Sequence, residues 1–256
     1  MMNVRKVFVI TGGAQGIGRR LVDRFAAMND CVVSTCDVLF SSSSLAAAAA
    51  PDSCVYRHVG DVSQESDVQD FIQSTIDQFG RIDCLINNAA IANPYMDYQN
   101  NGGGLEHLNM EQFQRVIQTN LVGPMLLAKH CTPYLRESKG CIINISSTRA
   151  RMSEPYTEAY AASKGGIEAL THSLAMSLQK DQIRVNAVAP GWIHVTEDYT
   201  LTAEDNTFHP VGRVGNGDDI FQTCEFLSDS TKSGFITGQT ITVDGGVTKK
   251  MIYPEG

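Results

Sequence analysis

The chain has 256 residues, 43% of them hydrophobic, with a formal net charge of −8 and a pI near 5.2. That length suits one large α/β domain, and the acidic balance argues against nucleic acid or an anionic membrane surface as the main partner, since both need a basic stripe. The first apolar run, VFVI, is far too short for a signal segment or a membrane span, so the chain reads as soluble and cytoplasmic. Seven cysteines, odd in number and never spaced Cys-x-x-Cys, mostly fall in apolar strand-like runs and read as buried thiols. The six histidines are scattered, and no metal site is expected.

In chain order, a strand at Lys6–Ile10 runs through TGGAQGIG into an amphipathic helix with Ile17, Leu21 and Phe25 on one side. Gly12, Gly16 and Gly18 have the spacing that lets backbone approach a pyrophosphate and aims helix N-terminal amides at it. A second apolar run, Cys31–Cys36, ends in Asp37, nineteen residues after Gly18, where a carboxylate can accept from both hydroxyls of an adenosine ribose. Gln15 in the turn and Val38 after the aspartate offer no cation for a 2′-phosphate, so NAD is favoured over NADP.

The low-complexity insert Ser41–Pro51 reads as a surface loop without chemistry. Next come a strand at Cys54–Val59, the pair Asp61-Val62 and a helix from Gln64 to Phe79 that closes at Gly80. Asp61 is placed either to accept from an adenine amino group or simply to lead that helix. The short buried strand Cys84–Ile86 ends in Asn87-Asn88-Ala89-Ala90, small and amide residues that would let a cofactor ribose lie close or that merely form a turn. Residues 91–108 form a long Asn/Gly loop at a sheet edge where ligands commonly lie. Met110–Arg136 reads as one long helix containing Asn120, a polar amide that is either a structural hydrogen-bonder or part of a proton path.

The strand Cys141–Ile145 leads to Ser147, and thirteen residues later Tyr160 and Lys164 lie one turn apart on a helix read as Ala159–Leu178. A phenol titrates near pH ~10 and becomes a base at neutral pH only beside a fixed cation. Lys164 would be that cation, while Ser147 would hold the oxygen of an alcohol or carbonyl. With eight tyrosines in the chain a lone Tyr-x-x-x-Lys is a common accident, so the motif needs a hydride carrier elsewhere. The remaining elements are a strand Arg184–Val188 into Pro190-Gly191, a polar loop Thr196–Thr207, a helix Asp218–Leu227 and a strand Thr240–Val243. This rhythm predicts a single domain with an open, parallel, doubly wound sheet.

Taken together, TGGAQGIG at 11–18, NNAA at 87–90, Asn120, Ser147, Tyr160 with Lys164, PGWI at 190–193 and the tail GFITGQTITVDGG at 234–246 resemble the short-chain dehydrogenase/reductase family in its single-domain form. The resemblance runs almost end to end. It implies a Rossmann-type sheet of seven strands and a catalytic tetrad of Asn120, Ser147, Tyr160 and Lys164, with Asn120 holding a water and Lys164 also binding the nicotinamide ribose. The implied cofactor contacts are Gly12, Gln15, Gly16, Ile17 and Gly18 in the turn, Asp37, Asp61 and Val62 on the adenosine side, Asn88 and Ala89, Tyr160 and Lys164, then Pro190, Gly191 and Ile193.

Two departures stand out. Ala90 occupies a place where the family usually has glycine, and the threonine expected after Pro-Gly-x-Ile-x falls one position late, leaving Val195 in the slot and Thr196 next. Arg149, Glu154, Trp192 and His194 are the candidate substrate residues, a mixed polar wall suited to a sugar, polyol or small hydroxy acid. Acidic Glu197, Asp198, Glu204 and Asp205 in a short lid disfavour polyanions.

The reading is an NAD-dependent dehydrogenase or ketone reductase for a small secondary alcohol or ketone. Alternatives are a non-catalytic dinucleotide sensor, an NADPH-dependent carbonyl reductase on the same fold, and a nucleotide-sugar epimerase, for whose extra domain the length leaves no room. A homo-oligomer, expected as a tetramer, is argued from apolar positions Ile117, Leu121, Ile167, Leu170, Leu174 and Leu178 exceeding what one sheet face covers.

Overall fold

A computed structural model describes residues 5–41, 54–92, 104–196 and 199–251. The insert at 42–51, most of the Asn/Gly loop (93–103) and the acidic pair Glu197 and Asp198 lie outside the described residues. In chain order the elements are β1 (Lys6–Thr11), α1 (Gly16–Ala26), β2 (Cys31–Cys36), β3 (Val55–His58), α2 (Glu65–Phe79), β4 (Cys84–Asn87), α3 (Met110–Ile117), a π-helical turn (Gln118–Val122) and α4 (Gly123–Ser138). They continue with β5 (Cys141–Ile145), α5 (Glu158–Ser177), β6 (Arg184–Pro190), β7 (Ile193–His194), α6 (Ala203–Phe208), β8 (Gly215–Asn216), α7 (Gly217–Ser228), α8 (Ser230–Ser233) and β9 (Thr240–Val243).

Seven strands make one parallel sheet in the order β3-β2-β1-β4-β5-β6-β9, with Phe8 opposite Cys84 and Cys84 opposite Cys141 in register. This is the doubly wound Rossmann-type α/β fold. Side chains alternate along each strand, so Val9, Leu85 and Ile142 pack with Phe71 of α2, Leu127 and Leu135 of α4 and Leu174 of α5. Ile10, Ile86 and Ile143 pack on the other side with Leu21 and Phe25 of α1 and Ile220 and Leu227 of α7. The order reverses between β1 and β4, and there the chain leaves a crevice at the carboxyl ends of the strands.

Three expectations are corrected. The stretch read as one helix from Met110 is interrupted by the π-helical turn at 118–122, and the loop after β7 contains α6, closed by a capping box between Thr202 and Asp205. Asp205 accepts the backbone amide and the hydroxyl of Thr202 and the hydroxyl of Tyr199, each at 2.8 Å, and these bonds hold its carboxyl below the usual range, so it stays charged. Finally, Ile167, Leu174 and Leu178 are buried within the protomer, so they provide no surplus apolar face for a partner.

Candidate active site

The Gly-rich turn is held from two sides. Gly12 and Gly16 adopt left-handed backbone (φ 72° and 60°), and Thr11 Oγ1 accepts the backbone amides of both Asn88 and Ala89 at 3.1 Å. The Asn88 side-chain amide donates to the carbonyls of Thr11 and Gly12 at 2.9 and 3.2 Å, so it serves as a brace for the turn. A Cβ on Gly12 would lie 2.8 Å from the Ala89 Cα, which is why glycine stands there. Beyond the turn, Gln15 gives α1 no side-chain cap, leaving its first amides directed at whatever lies in front of them.

A cavity of about 850 Å³ opens in front of this turn. Its wall contains Gly12, Gln15, Gly16, Ile17 and Gly18, then Asp37, Asp61, Val62, Asn88 and Ala89, then Ser147, Tyr160 and Lys164, and finally Pro190, Gly191 and Ile193. Every residue singled out as a cofactor contact thus faces one crevice. Residues that the sequence reading passed over also line it, among them Arg115 and Thr119. The helical period of α3 marks only its apolar side, and so gives no signal for Arg115 on the other.

Asp37 is 9% exposed, and each of its carboxylate oxygens accepts a backbone amide, from Ala14 and from Leu39, both at 2.9 Å. Those bonds fix the carboxylate at the end of β2 with lone pairs left over. Asp61 is held differently: Oδ1 accepts the Ser63 amide at 2.9 Å, a turn ahead of α2, while the residue still lines the cavity.

Asn120 is 1% exposed and sits in the π-helical turn, where the extra residue turns its amide inward. Its Oδ1 accepts the Ile91 amide (2.8 Å), and its Nδ2 donates to the Ile91 carbonyl (3.1 Å) and to Ser163 Oγ (3.2 Å). Ser163 in turn donates to the Tyr160 carbonyl at 2.7 Å, which ties the turn to the first residues of α5. Asn120 does not line the cavity; it braces the elements that do.

Tyr160 and Lys164 follow one another up α5, with the Lys164 ammonium 5.5 Å from the centre of the phenol ring. That ammonium is buried and donates to the Ile145 carbonyl at 2.8 Å; burial pushes it down to about 8, so it remains largely charged at neutral pH. Burial pushes the Tyr160 phenol up, while the Ser147 hydroxyl and the Arg149 charge favour its ionised form. The arrangement can pass a proton to or from an oxygen beside Ser147, which is general acid/base chemistry at an alcohol or carbonyl.

The four substrate candidates do not line the cavity. Arg149 and Glu154 pair with one another at 2.7 Å. Trp192, 41% exposed, lies among aromatic rings, 6.1 Å from Tyr199 and 6.0 Å from His209, and His194 also packs on Tyr199. Tyr199 and His209 are additional to the sequence reading, since scattered aromatics in a polar loop carry no periodic signal.

A family model described as Enoyl-(Acyl carrier protein) reductase matches residues 12–248. The chain belongs to the short-chain dehydrogenase/reductase family. As a short-chain dehydrogenase/reductase it is an oxidoreductase, and the family binds a nicotinamide cofactor. It is 40% identical to an uncharacterised oxidoreductase of Thermotoga maritima over 98% of each chain, and 32% identical to the L-fucose dehydrogenase of Mus musculus over 94% of this chain and 88% of that one. The apo structure of an SCOR enzyme from Clostridium thermocellum, 40% identical, superposes with a TM-score of 0.84 over 97% of this chain and 95% of that one.

Proposed function

We propose that this short-chain dehydrogenase/reductase uses NAD to interconvert a small polar secondary alcohol and its ketone, with Tyr160 as the acid/base. The cradle fits a dinucleotide: glycine backbone open in front of uncapped α1 amides for the pyrophosphate, Asp37 for the adenosine ribose, and Tyr160 and Lys164 for the nicotinamide ribose. When bound, the nicotinamide supplies the carbon that takes or gives the hydride. The protein's own residues do the rest. Ser147 orients the reacting oxygen, Tyr160 holds or accepts its proton, and the Lys164 cation favours the phenolate.

The observation that carries the NAD assignment is Asp37, fixed by two amides with Gln15, Val38 and Leu39 around it and no cation among them. NAD favours oxidation as the working direction. For substrate, the class is the one read from the sequence, a sugar, polyol or small hydroxy acid, although Arg149, Glu154, Trp192 and His194 stand outside the cavity wall. The likeness to an L-fucose dehydrogenase points the same way. A cytoplasmic location belongs to this reading, supported by six buried free thiols. So does a homotetramer, now resting on the family and on exposed Met110, Met125 and Met176.

The test is a screen of sugars, polyols, hydroxy acids and sterols with NAD, run beside Tyr160→Phe. Turnover of a polar alcohol that the variant loses while still binding NAD is the expected result; turnover of sterols alone would overturn the substrate class. Light scattering that finds a stable monomer at micromolar concentration would overturn the tetramer.

A further inference from the structure

We propose that Arg149 is a positioning residue for the proton transfer, a second fixed cation that stabilises the Tyr160 phenolate and whose strength Glu154 sets. This rests on the reading of Tyr160 as the acid/base. The geometry is local. β5 runs into a 3₁₀ turn at Thr148–Ala150, and the Arg149 amide donates to Ser147 Oγ at 3.2 Å, which ties its backbone to the residue that shares the reacting oxygen. The Arg149 side chain is 25% exposed. Nη2 is taken by Glu154 at 2.7 Å, but Nη1 is buried with no hydrogen-bond partner.

An uncompensated guanidinium N–H in a protein interior is costly, so a group nearby that gains from its charge is expected. The phenol of Tyr160 is such a group, and the Arg149 charge favours its ionised form. The segment that delivers Glu154 is itself tightly set: Thr157 Oγ1 donates to the Glu154 carbonyl at 2.8 Å, and Tyr156 is held in left-handed backbone at φ 66°.

The charged and titratable groups around the phenol are few. Among the described residues, Lys164 and Glu158 come from its own helix, Arg149 and Glu154 from the segment after β5, and Arg115 of α3 stands on the same cavity wall; at the end of β6 that wall is Pro190, Gly191 and Ile193, none of which titrates. Arg151, next along, is engaged by Glu168 at 3.0 Å. The Lys164 ammonium, 5.5 Å from the centre of the Tyr160 ring, is pushed down by burial to about 8 and begins to lose its charge just above neutral pH. A guanidinium keeps its charge throughout. Arg149 therefore keeps its charge across the range in which a phenol must ionise, and its pairing with exposed Glu154 tempers the field without removing it.

The test reads Tyr160 directly, with NAD at saturation, as the tyrosinate ultraviolet absorbance present in each protein and absent from the same protein carrying Tyr160→Phe. Arg149→Met should move this ionisation to higher pH by roughly one unit. Glu154→Gln should move it the other way, Arg149→Lys should leave it near the wild-type position, and NAD affinity should be unchanged in all three. A residue that merely supports the fold would not give shifts of opposite sign in the two partners of one ion pair. Shifts of the same sign, or no shift in Glu154→Gln, would overturn the inference, and Glu154→Gln decides it alone if Arg149→Met does not fold. Tyr160→Phe separates the two levels: if it keeps full turnover in the screen, the acid/base assignment falls and this inference with it, whereas if it is inactive and the pair shows no opposed shifts, only this inference falls.

Discussion

Asn120 satisfies both backbone polar groups of Ile91, accepting its N–H at 2.8 Å and donating to its carbonyl at 3.1 Å. One side chain thus closes the segment after β4 onto the π-helical turn, and through Ser163 onto α5. Asn120→Ala would leave the Ile91 groups without these partners, at about 1–3 kcal/mol each where water does not replace them. Thermal denaturation should show a loss of roughly 2–4 kcal/mol, together with lower turnover because the start of α5 loses its brace. Full stability in the variant would mean that water replaces the amide.

The sequence leaves Asn120 open between a structural hydrogen-bonder and part of a proton path, and does not show which groups it braces. Its position was legible, since an amide in an apolar helix is conspicuous, but hydrophobic periodicity cannot register the single extra residue of a π-helical turn. Strands whose side chains are buried on both faces, such as Cys141–Ile145, were readable as apolar runs to within a residue or two. Pairings between strands were not: the chain of amides from Asn87 to Asn144 (2.8 Å) to Thr171 (2.9 Å) joins positions up to 84 residues apart and has no local signature. The same holds for Arg149 and Glu154, whose contact depends on how the segment before α5 turns back. Site residues were legible where a spacing carries chemistry, as in the glycines of the turn and Tyr160 with Lys164.

Asp37 should decide the cofactor. A 2′-phosphate against a carboxylate already held by the Ala14 and Leu39 amides costs on the order of 1–3 kcal/mol, about tenfold to a hundredfold in affinity. Fluorescence titration should find NAD bound more tightly than NADP by that ratio, with the gap shrinking in Asp37→Asn. Equal affinity in the wild-type protein would remove Asp37 from the role.

Alkaline pH should unfold the protein through its thiols. Burial pushes Cys31 and Cys36 up to about 12 and raises Cys131 and Cys224 further. The folded state keeps protons that the unfolded chain releases near 9, so this stabilisation is fully present below 9 and is lost as pH rises toward 12. Lys164 acts in the opposite sense: the unfolded chain holds its proton to 10.5 and the folded one only to about 8, so stability gains between those values. One lysine cannot offset several thiols. Denaturant titrations should therefore show stability falling steeply above pH 9, and Cys36→Ala should reduce that slope by about 1.4 kcal/mol per pH unit, one thiol's share. An unchanged slope would mean that Cys36 ionises in the folded state.

Two glycines of the same turn should fail in different ways when a methyl is added. On Gly18 the new Cβ would overlap the Gly12 carbonyl oxygen and the Asn88 amide, the two groups whose hydrogen bond closes the turn. Neither is the free end of a flexible chain, so the turn itself must shift, and with it the Thr11 bridge to Asn88 and Ala89. On Gly16 the nearest heavy atom would be Val195 Cγ2 at 3.8 Å, ordinary contact, and the cost is only the backbone strain of φ 60°, of order 1 kcal/mol. That methyl would stand in front of the α1 amides, where the pyrophosphate should lie. Gly16→Ala is thus expected to fold with nearly native stability and bind NAD at least tenfold more weakly, whereas Gly18→Ala should lose stability and cofactor binding together. Calorimetry of NAD binding beside thermal denaturation separates the two, and a Gly16→Ala protein that binds NAD as tightly as wild type would show that the pyrophosphate does not sit against this turn.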